Sequence, residues 1–336
     1  MASGTIEKNE ENPIEKIAKS VYQPFAMLAG MKLDLFSALK DGPMNVEQIA
    51  ETIGVGPAKL KALLYALVVA DFLNVKDEFF SNTDAANRFL VKGNPSSVVD
   101  IHELLSTMWN AALNTAESIR TGLPQAKLDY SEMTQDELRQ FFYGEHPYAV
   151  EYGRDLVERY DFSSYSTLLD VGGGSGGLAI AVTENCPHIQ ATVVDLPKIT
   201  PVTQHYLDEA GAGNRVKVLT ADVVRDQLSG SYDAAVMSAF IQVLSPEEAH
   251  CAINNVGKVM NPGGDIYIRG YGIIDDSRVS PKKLVGFNLV YINVYDEGQA
   301  YTEQEHKDWL EEAGFGKFKR DILADGSSII TARKID

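Results

Sequence analysis

"STLLDVGGGSGGLAIAV", residues 166–182, decides the fold. Residues 167–171 are an apolar run interrupted by one acid, Asp170. A glycine cluster follows, and then a second apolar run at helical spacing. Strand, glycine loop and helix in this order let the chain turn tightly and bring bare backbone close to a ligand. Gly172, Gly174 and Gly177 have the G-x-G-x-x-G spacing. Alone, that spacing also describes a plain tight turn, so the surrounding sequence must carry the reading.

Downstream, elements alternate. Residues 190–197 and 215–224 read as strands, with a helix over 199–211 between them. A strand over 232–240 follows, then a helix over 246–264 ending at glycine and a strand over 265–274. This alternation predicts an α/β fold, a Rossmann-like parallel sheet with helices on both faces. Asp195 ends the strand after the glycine loop, where a carboxylate can accept from both ribose hydroxyls. Asp222 ends the next strand, placed for an adenine edge. Asp170 adds negative charge to the loop, which a pyrophosphate would oppose and a sulfonium or ammonium group would favour. The loop also lies halfway along the chain. Together these features predict S-adenosylmethionine rather than a nicotinamide cofactor.

Upstream, residues 13–39 read as helical, and 44–54 with 56–73 as helix, turn, helix. Residues 73–83 form a short hairpin with "KDE" at its turn. Helix-turn-helix plus hairpin is a winged-helix pattern, used for DNA binding or for dimerisation. Lys and Arg total 30 against 47 Asp and Glu, a net charge of −17, which repels nucleic acid and anionic membranes. The second helix carries only Lys59 and Lys61 as cations, so a homodimer is expected, with no nucleic-acid or membrane partner. No apolar signal core or membrane span stands out, and residues 1–12 are expected to fray. The two cysteines, Cys186 and Cys251, form no metal pattern and are read as reduced thiols of a cytoplasmic protein, with no metal site. The expected organisation is a winged-helix-like dimerisation domain over 1–105, a helical linker lining the substrate site over 106–160, and a cofactor domain over 161–336. Helices are expected over 100–122, 134–146 and 147–160.

At this point the sequence resembles the small-molecule S-adenosylmethionine-dependent O-methyltransferases of the caffeate and bacterial natural-product type. Residues 30–54 resemble their dimerisation domain, and "WNAALNTAESIRTGLP" (109–124) their "W…RTG.P" segment. "LLDVGGGSGG", "VVDLP", "NPGGDIYI" and "YTEQEHKDWLEEAGF" follow in order and spacing. The resemblance implies that Gly172, Gly174 and Gly176 cradle the methionine moiety, that Asp195 and Leu196 hold the ribose, and that Asp222 and Val223 flank the adenine. Ser238 stands on the adenine side, where many relatives have lysine. Trp109 falls in the segment just quoted, as a structural or a substrate-facing residue.

Residues 239–248, "AFIQVLSPEE", then pose the chemical question. The family usually has a leucine-histidine-aspartate-tryptophan run here, and the histidine is the general base. This chain reads Ile241-Gln242-Val243-Leu244, and an amide cannot act as a base near neutral pH. The glutamate that orients that histidine in relatives is replaced by Ala300 in "EGQAYT". An acceptor without a proton to lose would explain both changes, since a thioether becomes a sulfonium with no base. His146 in "YGEHPY" is the best of the other histidines for a relocated base. Phe141, Glu145 and Tyr148 share one helix face, as do Tyr291 and Tyr295, and aromatic faces suit a cation. By the resemblance, Tyr291 and Tyr295 line the acceptor. Arg269, taken to follow the last strand of the run, could hold a carboxylate. Residues 22–36 and 63–73 further resemble the methylthiohydroxybutyrate S-methyltransferases of dimethylsulfoniopropionate synthesis. An S-methyltransferase of a small thioether acid is therefore expected. The alternatives are an O- or N-methyltransferase with a relocated base, a cofactor-binding pericyclase or decarboxylase, and a winged-helix regulator.

Overall fold

The computed structural model describes residues 12–94 and 96–335. The expected fraying of residues 1–12 falls outside them but for Asn12, which caps the first helix through its side chain. The chain divides into two compact units, Met1–Thr107 and Met108–Asp336.

The first unit is helical with one hairpin. Helices α1 (Pro13–Lys19), α2 (Tyr22–Lys32), α3 (Leu35–Ala38), α4 (Val46–Ile53) and α5 (Pro57–Val69) precede strands β1 (Leu73–Lys76) and β2 (Phe79–Asn82), and α6 (Asp84–Leu90) follows. Asn45 and Gln48 close a reciprocal capping box on α4, and Gly54 ends it in the left-handed conformation. The core of this unit gathers Phe36, Ile49, Leu64, Leu67, Leu73 and Phe80. Among the described residues no single helix is long and apolar enough to cross a membrane.

The second unit takes in most of α7 (His102–Leu113), then α8 (Thr115–Thr121) and the long α9 (Gln135–Arg159). Its 7-stranded sheet is built from β3 (Thr167–Val171), β4 (Gln190–Asp195), β5 (Val216–Thr220), β6 (Tyr232–Ser238) and β7 (Met260–Gly270), closed by β10 (Phe315–Ile322) and β11 (Ser328–Lys334). The order is β10-β11-β7-β6-β3-β4-β5. The first five strands are parallel, while β11 runs antiparallel to β7 and β10 to β11. Helices α10 (Gly177–Asn185), α11 (Thr200–Glu209) and α12 (Pro246–Gly257) connect the parallel strands. Between β7 and β10 lie β8 (Ile273–Ile274), α13 (Lys282–Val285), α14 (Asn288–Val294), β9 (Tyr301–Thr302) and α15 (Glu303–Glu312). Apolar clusters fill both faces of the sheet, as the continuous burial of β3 requires.

Element boundaries differ from the sequence reading at several points; the helix expected over 100–122, for one, breaks between α7 and α8. Helices expected over 134–146 and 147–160 are one helix, α9, with Pro147 inside it. Proline in a helix interior costs about 3 kcal/mol, but α9 is held by close packing on α10. A Cβ on Gly153 would lie 2.6 Å from the Leu178 carbonyl oxygen, so only glycine allows this approach. The helix expected over 246–264 stops at Gly257, and "NPGG" instead opens β7, whose register with β6 shifts at that point. The strand expected over 265–274 is two elements, because β8 leaves the main sheet to pair with β9.

Candidate functional site

The glycine loop links β3 to α10. Gly172, Gly174 and Gly176 have φ of 63°, 55° and 73°, a region that favours glycine. Side-chain space there is taken by two aromatic rings. A Cβ on Gly172 would stand 2.3 Å from Phe240, and one on Gly174 2.5 Å from Phe142. The loop is pinned from α11, where Thr203 Oγ1 donates to the Gly174 carbonyl at 2.5 Å. Asp195 closes it from the next strand: the Gly174 N–H donates to Oδ2 and the Leu196 N–H to Oδ1, both at 2.8 Å. Leu196 itself is 40 % exposed, an apolar side chain left open beside that carboxylate.

Asp170 lies beneath the loop, 1 % exposed, and its Oδ2 has no hydrogen-bond partner. Burial first, and then the charge of Asp195, push its carboxyl up to about 7. Burial likewise raises Asp195 to about 6, against its two backbone hydrogen bonds. Two acids held partly protonated beside bare backbone are a site short of positive charge. An ammonium or sulfonium group and a pair of ribose hydroxyls fit that deficit.

Asp222 stands two residues beyond β5 rather than ending it. Its Oδ1 accepts from the Val224 and Arg225 N–H groups, and its Oδ2 from Arg225 Nη1 at 2.6 Å. Both oxygens thus shape their own turn, and an adenine would have to share them. Val223 is buried in the core and its carbonyl accepts from Asn255 Nδ2. Ser238 ends β6 opposite Arg269 of β7.

After β6 the chain makes a sharp entry. Ala239 has a φ of 53°, a left-handed conformation that is uncommon outside glycine. A 3-10 turn, Ile241–Val243, follows and carries Gln242. Tyr301 Oη ties the turn down by donating to the Leu244 carbonyl at 2.6 Å, and Ser245 with Glu248 caps α12 just behind it. Gln242 is 7 % exposed. It packs on glycines of β7 and its sequel: a Cβ on Gly272 would stand 2.5 Å from Gln242 Cβ, and one on Gly270 3.1 Å from Oε1. Its side-chain amide makes no hydrogen bond to any described residue. Ala300 is buried with Ile274 and Tyr291 in an apolar cluster that Tyr295 and Phe287 flank.

Tyrosines gather beside this turn from separate elements. Tyr148 and Tyr152 come from α9, Tyr291 from α14, Tyr271 from the residue after β7, and Tyr130 from the segment before α9. Tyr295 is the C-terminal cap of α14 in extended conformation, so it does not share a helix face with Tyr291, yet their rings are 6.3 Å apart. Burial pushes Tyr148 up to about 12, and raises Tyr130, Tyr271, Tyr291 and Tyr295 too. All are neutral phenols at physiological pH. Glu145 lies among them, its charge acting on Tyr130, Tyr148 and Tyr295, and burial raises its own carboxyl. Phe141 stacks edge-on with Tyr130 at 5.5 Å. Sequence reasoning did not find Tyr130, Tyr152, Tyr271 or Phe142.

Arg269 lies inside β7, not after it, and is 5 % exposed. Its guanidinium carbon sits 3.5 Å from the centroid of the Tyr152 ring. His146, by contrast, turns to the glycine-loop side. Its ring stacks on Tyr206 at 4.2 Å and its Nδ1 lies 2.9 Å from Ser175 Oγ. Burial lowers its pKa against the opposing pull of Glu209. Trp109 is half-buried on α7.

Comparison with known proteins decides the family. The O-methyltransferase domain matches residues 120–316, and the O-methyltransferase dimerisation domain matches residues 15–92. The chain belongs to the O-methyltransferase family. It is an S-adenosylmethionine-dependent methyltransferase. The tetracenomycin polyketide synthesis 8-O-methyl transferase TcmO of Streptomyces glaucescens is 26% identical over 96% of this chain and 96% of its own length. The N,N-dimethyltransferase OxyT of Streptomyces rimosus is 24% identical over 89% of each chain. Human N-acetylserotonin methyltransferase, solved in complex with S-adenosylmethionine, superposes with a TM-score of 0.82 at 20% identity over 100% of both chains.

Proposed function

We propose that this methyltransferase acts on an acceptor atom that sheds no proton, foremost the thioether sulfur of a small carboxylic acid, and that it works as a homodimer. Gln242 is the observation that carries this reading. The turn after β6 presents a buried amide, fixed by Tyr301 and packed on glycine, and Ala300 leaves no acid behind it. His146 is engaged with Ser175 and Tyr206 on the glycine-loop side.

When bound, S-adenosylmethionine supplies an electrophilic methyl group. Asp170, Asp195 and the backbone of Gly172, Gly174 and Gly176 would hold it, with Leu196 covering the ribose, and Asp222, Val223 and Ser238 on the adenine side. The chain's remaining work is positioning and water exclusion. Gln242 would orient the acceptor through its amide. The faces of Tyr291 and Tyr295, with Glu145 nearby, would favour the cation that forms on sulfur, by roughly 0.5–2 kcal/mol for each aromatic face.

Glu145 supports a second reading. A half-buried carboxylate with a raised pKa is suited to general-base work. An O- or N-methyl transfer, the chemistry named for TcmO and OxyT, would then use Glu145 in place of a histidine.

One panel separates the two: a methylthio acid, a hydroxy acid, a free thiol and a catechol, each scored by S-adenosylhomocysteine release. The methylthio acid is expected to be preferred and the catechol nearly inert. Gln242→Ala is expected to keep turnover and raise KM, since an amide positions but does not deprotonate. A strong catechol rate that Glu145→Gln lowers by about a hundredfold or more overturns the thioether reading in favour of the second.

A further inference from the structure

We infer that Arg269, laid on the ring of Tyr152, is the carboxylate-binding group of the acceptor site. This rests on the reading of the acceptor as a small acid and adds how the acid is recognised.

The guanidinium is buried and forms no ion pair with a described residue. Among the described residues Arg269 makes no ion pair and no side-chain hydrogen bond, and its Nε is sealed from solvent with no partner. An arginine stays charged in a protein, and a buried unpaired charge is expensive. One acid senses it without pairing with it. Asp325 feels the charge of Arg269, but its oxygens are occupied by Tyr271 Oη at 2.9 Å and by the Ser327 N–H and Oγ at 2.9 Å and 2.7 Å. Tyr152 supports the planar group from one side through its π face, which occupies none of the guanidinium N–H donors. A carboxylate supplies the matching two-oxygen partner.

The position ties this group to the methyl-transfer region. Gly270, the next residue of β7, backs directly onto Gln242. Aromatic rings run on from there without a break: Tyr271 stacks on Phe287 at 5.6 Å, Phe287 meets Tyr291 at 5.5 Å, and Tyr291 meets Tyr295 at 6.3 Å. Along α9, Tyr152 lies two turns after Glu145, about 10 Å by helical rise. The aromatic cluster therefore has a cationic end at Arg269 and an acidic end at Glu145. A short acid with its carboxylate on Arg269 would direct its far end towards Gln242 and Glu145, where a positive charge on sulfur would be accepted. The global charge of −17 would otherwise repel such an acid, so the arginine provides the local attraction.

The test is calorimetric binding to the enzyme loaded with S-adenosylhomocysteine. Pentanoate, 4-(methylthio)butanoate and the neutral amides of both are titrated. Both acids are expected to bind, and the amides to bind more weakly by about tenfold to a hundredfold. Arg269→Met is expected to erase the preference for acid over amide while S-adenosylhomocysteine affinity stays unchanged. Arg269→Lys is expected to retain part of it, as a point charge without the fork. Equal binding of acid and amide to the unaltered enzyme overturns the inference, and so does an acid preference that survives in Arg269→Met. Pentanoate has no sulfur, so its binding reports on the arginine whether or not a thioether is the methyl acceptor.

Discussion

At the scale of single residues, the site is defined by groups whose environments do not suit them in isolation. Asp170 is the clearest, a carboxyl buried under the glycine loop with one oxygen unpartnered and its pKa raised to about 7. Asp195 follows at about 6. Both values lie above those of the unfolded chain, so the cofactor-free folded protein holds extra protons between about pH 4 and pH 7. The stability these two groups contribute is full below that window and is lost as pH rises through 6 to 7. Cofactor binding reverses the balance, because positive charge and hydroxyl donors favour the ionised acids. S-adenosylhomocysteine is therefore expected to bind more tightly as pH rises from about 5.5 to 7.5 and to release protons as it binds. Calorimetry in buffers of different ionisation heat measures that release, and Asp170→Asn should reduce it. Affinity flat across the window, with no proton release, would refute the assignment.

At the scale of elements, α9 organises the site, carrying Phe141, Phe142, Glu145, Tyr148 and Tyr152 past the glycine loop. Its closeness to α10 depends on Gly153, where a Cβ would meet the Leu178 carbonyl oxygen at 2.6 Å and the Ala181 Cβ at 2.8 Å. Gly144, in the same helix, is exposed, and a Cβ there would meet nothing within 4 Å. The same substitution should thus have opposite signs. Gly144→Ala should stabilise by up to about 1 kcal/mol through helix propensity, and Gly153→Ala should destabilise by about 1–3 kcal/mol through overpacking. Urea unfolding of both variants checks this, and an equal effect at the two positions would show that α9 does not depend on that contact. The same helix shows what the sequence could convey. The glycine loop, Asp195 at a strand end and the strand–helix alternation were legible because each is a local pattern with one physical solution. Continuity through Pro147 was not, since propensity breaks the helix there and tertiary packing on α10 restores it. The tyrosine cluster was only half legible. Spacing and resemblance single out Tyr148 and Tyr291, which the structure places in one cluster, whereas Tyr130, Tyr152 and Tyr271 meet them only once separate segments have folded together. The burial of Arg269 was hidden for the same reason, as β7 gives no sign that Tyr152 will cover it.

At the scale of the whole molecule, the first unit presents apolar side chains that its own core does not take up. On α1 and at the start of α2, Ile14 is 75 % exposed and Ile17 73 %, with Val21 and Tyr22 also exposed. Ile14 and Ile17 stand three apart on α1, and Val21 and Tyr22 follow within five residues at the start of α2, so the exposed apolar groups are concentrated rather than scattered. Exposed apolar side chains concentrated in this way mark an interaction surface. The dimerisation-domain match over residues 15–92 covers nearly all of it, and a second copy of the chain is the partner we expect. Light scattering should report twice the chain mass at micromolar concentration. Placing like charges on this surface, as in Ile17→Glu with Val21→Glu, should shift the protein to monomer, because each copy would bring carboxylates into an apolar contact on both sides of a symmetric interface. The glycine loop lies in the second unit, so S-adenosylhomocysteine affinity per chain should persist in the monomeric variant even if turnover falls. A monomer for the unaltered protein, or a dimer undisturbed by both charges, would show that these side chains serve some other contact.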